Sequence, residues 1–129
     1  QLQVNAELPP AQSYATGKLL QPLRDEGVLI LGSGHIVHNL PRVNWEMPGG
    51  YAWADEFDAY IKNAIQTGQH NKVIHYEEAG PSAQLAFPMR DHYDPLLYTL
   101  GTTQPKEAVQ VYNNERTLGS ISMTSYIVG

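Results

Sequence analysis

GVLILGSGHIVHNL, residues Gly27–Leu40, runs four apolar residues, Val28–Leu31, straight into Gly32-Ser33-Gly34 and then presents His35 and His38. A short apolar run bounded by glycines predicts a strand buried on both faces, as in an α/β sheet. Ligands of such sheets sit just beyond the carboxyl ends of the strands, where these histidines fall. The turn is therefore the first candidate for chemistry. A Gly-rich turn after a strand can also cradle a phosphate, but GSGHIVH has neither the lysine of a P-loop nor a GxGxxG spacing.

Composition sets the outer limits. The 129 residues, 42% apolar and 16% charged, suit one domain, residues 1–129, with a real core. A formal charge of -5 with eight Lys plus Arg argues against a nucleic-acid or anionic-membrane surface. There is no cysteine, so any transition metal must be held by His, Asp or Glu. No apolar run approaches the roughly 20 residues that cross a bilayer, and the expected location is cytoplasmic.

Gln1–Asn5 alternates polar and apolar residues as a strand does. The start without Met suggests a processed chain or a fragment. Pro9-Pro10 opens a helix carrying Tyr14, Leu19, Leu20 and Leu23, which Pro22 interrupts. Trp53, Phe57, Tyr60, Ile61 and Ile65 recur at helical spacing, which predicts an amphipathic helix over Ala52–Thr67 with its aromatic stripe in the core. A short helix over Asn71–Glu78 and a loop over Ala79–Ser82 follow, with His70 and His75 read as surface residues. Ala108–Tyr112 and Ser120–Val128 read as antiparallel strands joined through a turn at Asn113–Arg116.

The second informative stretch is DHYDPLLYTLG, Asp91–Gly101. A helix beginning at Arg90 or Asp91 buries Leu96, Leu97 and Leu100 and puts His92 in its first turn. There His92 is either a capping or surface histidine or a neutral ligand or acid/base; the local pattern leaves both open.

Together GSGHIVHNL, the WADEF segment Trp53–Phe57, DHYDPLLYTLG and the closing LGSISMTSYIVG resemble the carboxyl-terminal half of the class III extradiol ring-cleavage dioxygenases of the LigB type, closest to 4,5-DOPA dioxygenase-like proteins. The resemblance covers the whole chain. It implies that His38, in the VHNL motif, and His92, in the HYxPLLYxLG motif, are active-site histidines, whereas His35 matches a variable position. It also implies a divalent metal, Fe(II) first and Zn(II) as the alternative, a catechol-type substrate and O2. His92 is then expected to be a metal ligand and His38 the acid/base, with the reverse, or both as ligands, left open. Asn39 and Tyr93 are candidates to orient them.

Family members carry an amino-terminal half with two further metal-binding histidines, in HGSP-like and SAHW-like motifs, and neither motif occurs in these 129 residues. The expected fold is therefore an α/β domain with a mixed, mainly parallel sheet and helices on both faces, incomplete without that half. The expected function is part of an extradiol dioxygenase completed by a partner chain, and the alternative is a non-catalytic LigB-like binding or structural subunit.

Overall fold

Ten short elements carry the chain, described over residues 1–129 by a computed structural model. Helices α1 (Pro10–Leu20) and α2 (Pro22–Asp25) each begin on a proline, which fixes φ and lacks the N–H that the first turn would leave unpaired. After a long extended stretch come α3 (Ala52–Gln66), α4 (His70–Ile74), α5 (Pro81–Ala86) and α6 (Asp94–Gly101). Strands β1 (Val109–Tyr112), β2 (Arg116–Thr117), β3 (Ile121–Ser122) and β4 (Ser125–Val128) close the chain.

Helix α3 supplies the centre of the core with Phe57, Ile61 and Ile65, as its spacing predicts; Trp53 and Tyr60 pack on the rim. Val73 and Ile74, Ala83 and Ala86, Tyr93, Leu97 and Leu100 complete it, together with Ile36 and Val37 from the extended stretch. Helix α1 departs from its sequence reading: Leu19 is exposed, and the buried residues are Ser13 and Gly17. The reason is a close helix crossing. A Cβ on Gly17 would lie 2.9 Å from the Gly101 Cα, so α1 and α6 meet backbone to backbone and no leucine fits between them.

The sheet differs from the expected mainly parallel one. Both ladders, β1 with β4 and β2 with β3, are antiparallel, as read for the last third of the chain, and the one parallel pairing is an isolated bridge between Gly50 and Gly119. Leu2–Val4 and Val28–Leu31 form no ladder. Residues 29–34 neither donate nor accept a backbone hydrogen bond, and Leu29 and Leu31 are 86% and 84% exposed. The stretch is extended, but both of its edges are open. Its glycines lie against α6, where a Cβ on Gly32 would meet the Thr99 methyl at 2.7 Å and the Pro95 carbonyl at 2.9 Å. Nothing within the 129 residues covers the outer leucines, which is why a run that reads as doubly buried stands in solvent.

Two polar clamps fix the periphery. Arg24 makes a forked pair with Glu107, at 2.6 and 2.9 Å, and donates to the Thr102 carbonyl, tying α2 to the end of α6. Buried Asp58 of α3 accepts from Arg116, Thr124 and Ser122, fastening β2 and β3 to the core helix. The segment beyond α4 also departs from its reading: Pro81–Ala86 is helical, Pro81 starting it where a loop was expected.

Candidate metal centre

The chain bends at Ile36, and that bend makes the site. Ile36 and Val37 enter the core, leaving His35 and His38 half-buried on either side of them. Four backbone hydrogen bonds hold this corner from three directions. His35 N–H donates to the His92 carbonyl at 2.8 Å and His38 N–H to the Ala86 carbonyl at 2.8 Å. Asn39 N–H donates to Ser120 and Ser122 N–H to Val37, forming an antiparallel bridge between His38 and Ile121. Gly34 is required here: a Cβ would run into the His92 carbonyl oxygen.

His92 comes from the opposite side. It lies in the turn before α6, not in the helix's first turn as the sequence predicts, because the helix starts at Asp94. Arg90 anchors that turn by donating to the Ala6 and Leu8 carbonyls at 2.8 and 2.6 Å, and the Tyr93 and Asp94 N–H groups donate back to the Arg90 carbonyl. Tyr93, fully buried, donates its hydroxyl to the Val73 carbonyl, and Asn39 donates its amide to Leu85. These two residues thus brace backbone around the site; neither touches an imidazole through a hydrogen bond.

The structure brings His38 and His92 together and adds His35, which the sequence reading set aside. One ring nitrogen from each lies within 4.8 Å of the others. The rings of His38 and His92 stack, with centroids 3.6 Å apart and planes 9° apart. The rings of His35 and His92 meet edge to edge, Nδ1 to Nδ1, at 3.2 Å, so one donates and the other accepts. The three-residue spacing of His35 and His38 resembles that of metal ligands only on a helix, and here a single bend at Ile36 does the work of a helical turn.

Burial, and then the nearby His92 ring, lower the His35 pKa from its ordinary value; the same two causes lower that of His38, where His35 adds to them and Asp91 opposes. Both rings are therefore neutral at pH 7, the state that binds metal or accepts a proton. Asp94, just beyond His92, is buried with neither carboxylate oxygen hydrogen-bonded, and burial pushes its pKa up to about 6 although Arg90 stands 3.6 Å away. A groove of about 420 Å³ runs alongside, lined by Leu29, Leu31, His35, His92, Thr99 and Tyr126. A larger cleft of about 1150 Å³ lies elsewhere, around Tyr14 and His70. It gathers no cluster of metal-ligating groups: His70 is hydrogen-bonded to the Tyr14 hydroxyl at 2.8 Å, and His75 is exposed.

Three imidazoles in a chain without thiols are a donor set that fits a divalent transition metal. No helix is long and apolar enough to cross a membrane.

Comparison with known proteins gives the family. The family described as the catalytic LigB subunit of aromatic ring-opening dioxygenase matches residues 2–128. The 4,5-DOPA dioxygenase extradiol of Escherichia coli K12 is 36% identical over the whole chain, which covers 49% of that protein, and the one from Beta vulgaris is 33% identical over 98% of the chain and 47% of its own length. The crystal structure of an uncharacterized protein of Escherichia coli K12 superposes with a TM-score of 0.88 at 33% identity, over 98% of this chain and 53% of the other. The chain thus spans about half the length of the curated relatives it matches. Over that span it belongs to the LigB family of aromatic ring-opening dioxygenases.

Proposed function

We propose that this chain forms the carboxyl-terminal half of an extradiol dioxygenase site that opens a catechol-type ring with O2. The observation that carries the reading is the convergence of His35, His38 and His92 at the glycine corner of a LigB-family chain. When bound, a non-haem divalent metal, Fe(II) by preference and Zn(II) as the alternative, supplies the binding of the diol and the activation of O2.

The side chains divide the remaining work. His92, whose Nε2 has no hydrogen-bond partner, is the metal-ligating ring. His38 is stacked flat on His92, and the in-plane lone pairs of parallel rings run side by side instead of converging on one ion. That geometry supports His38 as the acid/base: neutral at pH 7, it takes a proton from a catechol hydroxyl and returns it to the opened product. The groove beside Leu31 and Thr99 gives an apolar wall for a ring.

A mononuclear centre with vacant positions needs about three protein ligands, and His35 is already engaged with His92. We assign the missing ligands to the HGSP-like and SAHW-like histidines of a complementing amino-terminal segment, carried by a partner chain or in the same polypeptide. The open edges of residues 29–34 and the exposed leucines support that assignment. A groove flanked by His35 and His92 favours catalysis over a non-catalytic subunit. The lack of cysteine suits a cytoplasmic setting.

The test is metal content and catechol-dependent oxygen uptake of the purified 129-residue chain, before and after adding a polypeptide that carries the two motifs. Weak metal binding and no uptake before, with both restored after, is the expected result. Stoichiometric iron and full turnover by this chain alone refutes the half-site reading.

A further inference from the structure

His35 occupies a position that the family resemblance leaves unassigned, yet two contacts join it to His92. Its backbone N–H donates to the His92 carbonyl at 2.8 Å, and its Nδ1 faces the His92 Nδ1 at 3.2 Å. The first contact fixes where the His35 ring starts; the second fixes where it ends.

We propose that His35 is a positioning residue that sets the tautomer of His92. The inference rests on the reading of His92 as a metal ligand. An imidazole that binds a metal through Nε2 must carry its proton on Nδ1, and that N–H is normally held by an acceptor that also locks the ring's orientation. The His92 Nε2 has no such partner: its nearest carboxylate oxygen, on Asp91, is 4.0 Å away, beyond hydrogen-bond reach. His35 supplies the acceptor on the other edge. Its Nδ1 takes the Nδ1–H of His92, which leaves the Nε2 lone pair of His92 free to face an ion.

The corner is built for this exchange. Gly34 lets the chain close onto the His92 carbonyl, where any side chain would collide, and the bend at Ile36 then buries Ile36 and Val37 so that His35 cannot swing away without unpacking the core. The His35 ring also lies over His38, with centroids 5.3 Å apart and planes 22° apart, so it is confined on two sides.

Long-range proton–nitrogen correlation spectra of the metal-free 129-residue chain, labelled with nitrogen-15, read the tautomer of His92 directly. The expected wild-type signal is the Nδ1–H form. In His35→Phe it shifts to the Nε2–H form, and in His35→Asn it is kept, because the Asn side-chain oxygen falls where Nδ1 of histidine lies. Titration with Zn2+ alone gives the second readout: His35→Phe weakens binding roughly 10–100-fold, the usual effect of losing such a partner, and His35→Asn restores it to within a few-fold. A wild-type His92 in the Nε2–H form, or a Phe variant that keeps Nδ1–H, overturns the proposal. Equal loss of Zn2+ binding in the Asn and Phe variants also overturns it, making His35 a ligand. If Zn2+ leaves the wild-type His92 signals unmoved even after the complementing polypeptide is added, the metal reading fails, while the tautomer still decides the role of His35.

Discussion

His38 and His92 stack with ring centroids 3.6 Å apart and planes 9° apart, although the whole of α3, α4 and α5 lies between them in sequence. Rings so arranged share a site without sharing a ligand direction. In the complemented enzyme, His38→Ala should depress turnover by about 100-fold or more, the usual share of an acid/base group, with metal content nearly intact. His92→Ala should lower both. Metal analysis beside oxygen uptake makes the comparison, and equal metal loss in the two variants would make both rings ligands.

The glycine corner gives a sharper structural test. Gly34→Ala forces a methyl group into the His92 carbonyl oxygen, so the turn before α6 must move. The expected loss of stability is about 1–3 kcal/mol, the range for overpacking, accompanied by changed His92 signals in the proton–nitrogen spectrum. Gly49→Ala is the control, since a Cβ there meets nothing within 4 Å.

Both halves of this corner show what the sequence made legible. The helix over α3 could be read because its burial is local: Phe57, Ile61 and Ile65 face one core at one period. The antiparallel end of the chain was legible for the same reason, its strands being joined by turn residues and paired with each other. Val28–Leu31 was misread because its neighbours are not local at all. Four apolar residues in a row carry the signature of a covered strand whether or not the cover is present, and the packing of Gly32 and Gly34 on α6 leaves no trace in periodicity. His35 falls in the same strand-end turn as His38, but the family resemblance gives it a variable position, and the bend at Ile36 that brings it to His92 leaves no trace in spacing.

Asp58 links core and site. It accepts hydrogen bonds from Arg116, Thr124 and Ser122, and Ser122 in turn donates its N–H to Val37, next to His38. Asp58→Ala leaves a largely buried guanidinium short of a partner and two hydroxyls unpaired, at a cost of about 3 kcal/mol. Chemical denaturation measures that loss. Loss of the His38–Ile121 bridge should accompany it, seen as faster amide exchange at Asn39.

The Arg24–Glu107 clamp sets an acid-side dependence. The Arg24 guanidinium holds the Glu107 carboxyl below its ordinary value of 4.5, so the folded state binds that proton less readily than the unfolded chain. Its contribution is present above 4.5 and disappears as pH falls through the lowered value. Because both groups are partly exposed, the worth is about 0.5–1 kcal/mol. Glu107→Gln should be less stable than the parent by that amount at pH 7 and indistinguishable from it once the acid is protonated. Denaturation curves across the acid range check the sign, and a gap that widens toward low pH would contradict it.

Leu29 and Leu31 decide whether the open stretch is an interface. Both side chains stand in solvent in this chain, and the backbone of residues 29–34 is unpaired on either side. Replacing both leucines by lysine should therefore leave the stability of the chain itself within about 0.5 kcal/mol, the usual range for exposed positions. Docking a complementing segment against this edge is a different matter, because it would bury two ammonium groups where apolar surface and vacant hydrogen-bonding groups now invite a neighbouring strand. Calorimetric titration of the complementing polypeptide into the double variant should show affinity reduced at least tenfold, with metal retention falling in step, because the ligands on that polypeptide no longer reach His92. Undiminished association would move the interface to another face of the chain and leave the exposed leucines without a partner.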